Sequence, residues 1–150
     1  GYGLVRERSD ALEAISYGQC VVPKSLCFED KLLFIGRTFV SIVEEAKPDI
    51  LAIEKIYVAK NTQIALSIGI VSGIMAYSGM EKDIRVYFIT PGEIKKIITG
   101  EGQALKQQVC YMVQKLLALD INPGEHAIDA LATAISFISI SKFQDMVDGI

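Results

Sequence analysis

Three side chains have the types and spacing of a hard-cation site. Glu54 closes the run Asp49-Ile-Leu-Ala-Ile-Glu54, and the carboxyl end of a buried strand is where open α/β sheets place their sites. Asp129 interrupts the small apolar run Ala127-Ile-Asp-Ala-Leu-Ala132, where an ionised carboxylate costs free energy unless a partner or a cation compensates it. His126 stands three residues earlier, so on a helix the two share a face. Together they make half of an oxygen-rich divalent site. Mg²⁺ suits it, the imidazole tolerates Mn²⁺, and such ions support phosphodiester hydrolysis. The competing readings are structural: a strand-end acid that reaches water and a helix-face histidine with a packing role.

Positive charge gathers in one stretch. Between Ile94 and Leu116, Lys95, Lys96, Lys106 and Lys115 face only Glu101, and Lys106 opens a helix just past the Gly100-Glu-Gly102 break, within easy approach of a phosphate. Directly after Glu54, Tyr57 can stack on an unpaired base while Lys60 holds its phosphate, the alternative being a tyrosine packed over the sheet end. Asn122-Pro-Gly-Glu125 reads as a helix start, with Asn122 as N-cap and Glu125 reaching back as in a capping box.

The elements that must position these groups are written in the periodicity. Gly1–Arg6 and Ala14–Val22 read as an antiparallel hairpin turning near Ser9-Asp10. Leu32, Leu33, Ile35, Phe39, Val40, Ile42 and Val43 predict an amphipathic helix over Glu29–Ala46, ended before Pro48. Asp49–Glu54 and Arg85–Ile89 read as strands. Asn61–Ser78 reads as a helix apolar nearly all round, with Ala65, Gly69, Gly73 and Ala76 close to one stripe. Pro91 opens a short helix bearing Ile94, Ile97 and Ile98, Gln103–Leu119 a longer one, and Pro123 a last helix reaching about Ser141. Strands alternating with helices give an α/β fold with a mixed sheet, expected as a single domain over 1–150.

Composition narrows the function classes. Of 150 residues 51% are hydrophobic and 22% charged, which excludes a disordered chain. A net charge of −3 means that any nucleic acid must be met by a local basic patch. Three cysteines, Cys20, Cys27 and Cys110, give no disulfide framework and point to a reducing cytoplasm. The uncharged stretch Ile64–Met80 is slightly short for a bilayer span and is broken by three glycines, so no membrane association is expected.

Four segments in register resemble one family. Gly1-Tyr-Gly-Leu-Val, Ala52-Ile-Glu-Lys-Ile-Tyr-Val-Ala-Lys-Asn61, Gly100-Glu-Gly-Gln-Ala-Leu-Lys106 and Asn122-Pro-Gly-Glu-His-Ala-Ile-Asp-Ala-Leu131 are similar, in order and spacing, to the bacterial RuvC crossover junction endodeoxyribonucleases. The resemblance implies a ribonuclease-H-like fold and a homodimer that symmetrically nicks four-way DNA junctions in recombination and repair, using two Mg²⁺ ions per site. It makes Glu54, His126 and Asp129 the metal ligands and Lys106 the lysine beside the scissile phosphate. Tyr57, Lys60, Asn61, Lys95 and Lys96 become DNA contacts, and the stripe Ala65, Gly69, Gly73 and Ala76 becomes the dimer seam. RuvA and RuvB, which drive branch migration, become partners in the cytoplasm. The family's first strand carries an Asp-Pro-Gly-Ser-like segment just upstream of Gly1, and its Asp is a central metal ligand. The chain is therefore expected to be N-terminally shortened, and inactive and poorly stable as it stands. Two other classes compete: a branched-DNA-binding module that does not cut, and an actin-like ATPase, which needs phosphate loops in two domains and a longer chain.

Overall fold

A computed structural model describes residues 1–9, 11–55 and 62–148. Its elements run β1 (Tyr2–Arg8), β2 (Ala11–Gly18), α1 (Phe28–Ala46), β3 (Ile50–Glu54), α2 (Thr62–Met80), β4 (Arg85–Ile89), α3 (Pro91–Thr99), α4 (Lys106–Leu116) and α5 (Glu125–Asp148). The chain expected to form a single domain divides into two compact units, Gly1–Gln19 with Ile89–Ile150, and Cys20–Phe88. The strands form two two-stranded sheets, β1-β2 and β3-β4.

In the first unit, β1 and β2 pair antiparallel from Arg8 opposite Ala11 to Tyr2 opposite Gly18, with a register irregularity between Leu4 and Val5. The second strand therefore starts three residues earlier than its apolar pattern suggested, because the tight turn at Ser9, in the left-handed region at φ 48°, forces pairing at once. β1 lies against α5. A Cβ on Gly1 would sit 1.9 Å from the His126 carbonyl oxygen, and one on Gly3 would sit 2.9 Å from the Leu131 side chain. Only hydrogen fits at either position, so these glycines let strand and helix touch at backbone distance. Lys142 of α5 pairs with Glu7 of β1.

α3 begins as the sequence predicts. Thr90 Oγ1 accepts from the Glu93 N–H at 3.2 Å, and the Glu93 carboxylate accepts from the Thr90 N–H at 2.9 Å. Gly100, at φ 84°, closes the helix in the left-handed form that glycine adopts without cost. α4 is shorter than expected at both ends. The Ala104 N–H turns back to the Glu101 carbonyl and Leu105 is the N-cap residue, while Ala118, at φ 49°, ends the helical run before Leu119. α3, α4, β1 and β2 all pack on α5, and Leu131, Ile135, Val113 and Ser136 are the largest fully buried side chains of this unit.

In the second unit, α1 packs on α2 and α2 on β3. Phe39 and Val43, one turn apart on α1, are buried, and Lys47 caps the helix in the left-handed region at φ 45° before Pro48. α2 connects β3 to β4, the crossover that parallel strands require. Among the described residues, α2 is the one helix long and apolar enough to cross a membrane, by length and composition alone.

Candidate active site

Local chain geometry places the acidic end of α5. Asn122 Oδ1 accepts from the Gly124 N–H at 2.9 Å, Gly124 turns the chain at φ 92°, and the Ile128 N–H bonds to the Gly124 carbonyl at 2.9 Å. The helix therefore starts at Glu125, with Asn122 forming an Asx turn ahead of it. The expected capping box is absent. Glu125 directs its carboxylate to α4 instead, where Lys106 Nζ lies 3.0 Å from Glu125 Oε1. The same ammonium lies 4.0 Å from Asp129 Oδ2. Glu125 and Asp129 stand four residues apart on one face of α5, and one lysine spans both.

The electrostatics follow from that contact. The Lys106 hydrogen bond and charge hold the Glu125 carboxyl below its ordinary range, with a smaller contribution from His126. Asp129 is half-buried, His126 is exposed, and the Thr133 hydroxyl donates to the Asp129 carbonyl at 2.8 Å, one turn further along α5. Ile128, Leu131, Ala132 and Ile135 are buried and Ile138 half-buried, so the expected apolar stripe anchors the helix while its acids face outward.

Among the expected site residues, Lys106 of α4 and Asp129 of α5 come together, and His126 stands on the Asp129 face of α5. Glu54 is exposed at the carboxyl end of β3, as anticipated, and belongs to the second unit. Lys95 is half-buried and Lys96 exposed on α3. Tyr57, Lys60 and Asn61 lie outside the described residues. Sequence reasoning missed Glu125, although its spacing from Asp129 was the available signal. It also missed an exposed pair on α4, where Lys115 Nζ sits 5.6 Å above the Tyr111 ring.

The implied divalent cation fits this end of α5 chemically. Asp129 supplies hard oxygen, His126 a nitrogen three residues away, and the turn already draws a positive group onto its carboxylates. No three His, Cys, Asp or Glu groups cluster among the described residues, so these two supply part of a coordination sphere.

The expected seam on α2 needs redrawing. Gly69 and Gly73 are exposed, with open space where a Cβ would stand, but Ala65 is half-buried and Ala76 is buried within the chain. The exposed apolar residues Leu66, Ile70, Tyr77 and Met80, with Gly73 between them, alternate at four- and three-residue steps, the spacing of a helix-pairing seam. Repulsion by the Glu81 carboxylate, and then its hydrogen bond, push the Tyr77 hydroxyl above the ordinary tyrosine range.

The family profile described as crossover junction endodeoxyribonuclease RuvC matches residues 1–137. This chain belongs to the RuvC family. A RuvC from Serratia proteamaculans is 35% identical over 144 residues, covering 95% of this chain and 82% of the relative. One from Syntrophomonas wolfei is 36% identical over 149 residues, covering 99% and 87%. In fold, the chain matches the Thermus thermophilus RuvC structure with a TM-score of 0.84 at 20% identity, covering 95% of this chain and 88% of that one. The T. thermophilus RuvC in complex with Holliday junction substrate gives 0.88 at 21%, with 95% and 87% covered. The mixed α/β, ribonuclease-H-like class expected from sequence is that of these RuvC structures.

Proposed function

We propose that this chain is a structure-selective endonuclease that resolves four-way DNA junctions by hydrolysing phosphodiester bonds, acting as a homodimer. The observation that supports it most is the meeting of Lys106 and Asp129, two expected catalytic side chains from different helices, in a chain matched by the RuvC profile. Glu54, His126 and Asp129 would hold Mg²⁺, with Mn²⁺ as a substitute. When bound, the ions supply Lewis-acid activation of water and of the phosphate. Lys106 would place positive charge against the non-bridging phosphate oxygens. Lys95 and Lys96 on α3, together with Tyr57, Lys60 and Asn61, would bind the DNA arms. RuvA and RuvB are the partners implied by the family, and the cytoplasm the compartment.

A homodimer suits a two-fold junction, because it offers two sites at once. The exposed seam of α2 supports it: apolar side chains flank glycines that let a second helix approach closely.

The test is cleavage of a synthetic four-way junction with Mg²⁺ by the chain extended with the Asp-bearing strand expected upstream of Gly1. Asp129→Asn is expected to lower the nicking rate by on the order of 10³-fold, the equivalent of about 4 kcal/mol of transition-state stabilisation, while junction binding persists. Full activity in that variant overturns the ligand role. Junction binding without nicking by that extended chain favours the non-cleaving module.

A further inference from the structure

Lys106 stands between two carboxylates but is shared unequally, 3.0 Å from Glu125 and 4.0 Å from Asp129. Direct hydrogen bonding thus goes to Glu125, and Asp129 keeps a longer, Coulombic contact. All three side chains are substantially solvent-exposed, so the partition is set by which acceptor lies nearer and not by a rigid cage. A lysine ammonium and a divalent cation seek the same carboxylate oxygens, so an ammonium directly on Asp129 would compete with the ion. Glu125 is released for this contact by the Asx turn at Asn122 and Gly124, which starts the helix without its side chain.

We propose that Glu125 is a positioning residue: it draws Lys106 off Asp129, leaving that carboxylate open to a divalent cation while keeping the ammonium 4.0 Å away, where a phosphate would meet it. This rests on the reading of Asp129 as a metal ligand. Glu125 acts through Lys106 and needs no contact with ion or DNA. If its charge is removed, the ammonium settles on Asp129 and opposes the cation.

Mn²⁺ titration of the chain, followed by electron paramagnetic resonance without DNA, tests this apart from catalysis. Glu125→Gln is expected to weaken Mn²⁺ binding by about thirtyfold, the Coulomb effect of one ammonium on a doubly charged ion near 4 Å in a water-like medium. Adding Lys106→Met to that variant is expected to restore binding to at least the original level, because the competitor is gone. Unchanged affinity in Glu125→Gln, or a double variant as weak as the single one, overturns the positioning role. Asp129→Asn separates the two levels. If it abolishes Mn²⁺ binding while the double variant fails to recover, the positioning role alone falls. If it leaves binding intact, or if the unaltered chain binds no Mn²⁺, the metal reading falls and this inference with it.

Discussion

Two helices carry long uncharged stretches, Ala130–Ser141 in α5 and Thr62–Met80 in α2, and they meet opposite fates. α5 is enclosed by β1, β2, α3 and α4, and Leu131 at its centre is 0% exposed. α2 packs chiefly on α1 and β3, and Leu66 and Tyr77 remain 67% and 62% exposed. Apolar composition is therefore not what decides burial. The neighbouring elements bear on it, and α2 keeps surplus apolar surface, the face proposed above to meet a second helix. α5 keeps its charge at its two ends, Glu125, His126 and Asp129 in its first turns and Lys142, Asp145 and Asp148 in its last, whereas α2 carries no charge along its length.

The sharpest way to break this contrast is to truncate one large apolar side chain on each helix. Leu131→Ala is expected to cost about 2–5 kcal/mol in denaturant unfolding, because a cavity opens where nothing can collapse into it. Leu66→Ala is expected to cost under about 0.5 kcal/mol in the isolated protomer. Equal losses would erase the distinction between the two helices.

Ile70→Glu sharpens it from the other side. Placing a charge in the seam is expected to weaken self-association by at least tenfold in analytical ultracentrifugation, since even a neutral polar group buried without a partner costs about 1–3 kcal/mol and a charge costs more, while protomer secondary structure is retained. An unshifted sedimentation profile would mean that α2 is not the seam.

The smallest expected effect is on titration. Tyr77 has its ionisation raised by Glu81, so the neutral phenol is the favoured folded form. Its contribution to stability is full below the unfolded tyrosine value, about pH 10, and is lost as pH rises through the higher folded value. Glu81→Gln is expected to bring the Tyr77 midpoint back down, as followed by ultraviolet difference absorbance against Tyr77→Phe. A midpoint unmoved by Glu81→Gln would remove that carboxylate as the cause.

What was legible in the sequence was whatever local chemistry enforces. The stripe of α1, the start of α3 at Pro91, the carboxyl-end position of Glu54 and the shared face of His126 and Asp129 follow from spacing alone. What was hidden depends on partners far along the chain. Glu125 sits where a capping box would use it, and only the approach of Lys106 from α4 shows the carboxylate engaged elsewhere. Helical spacing alone puts Ala65, Gly69, Gly73 and Ala76 close to one stripe, yet Ala76 is buried by the chain itself while Gly69 and Gly73 are exposed, a split that spacing does not contain. The hairpin slipped for a related reason: strand ends are set by the turn and the partner strand, not by where apolar residues begin.

The glycines of β1 have a last consequence. Because the strand meets α5 through backbone atoms at Gly1 and through the Leu131 side chain at Gly3, the helix has no soft layer beneath its first turns to absorb added bulk. Even a methyl group at either position must lift the helix start or tilt the strand, and so shift His126 and Asp129 together. Saturation mutagenesis should thus find these two glycines far less permissive than the larger apolar residues around them, with tolerance measured in tenths of an ångström instead of in hydrophobicity.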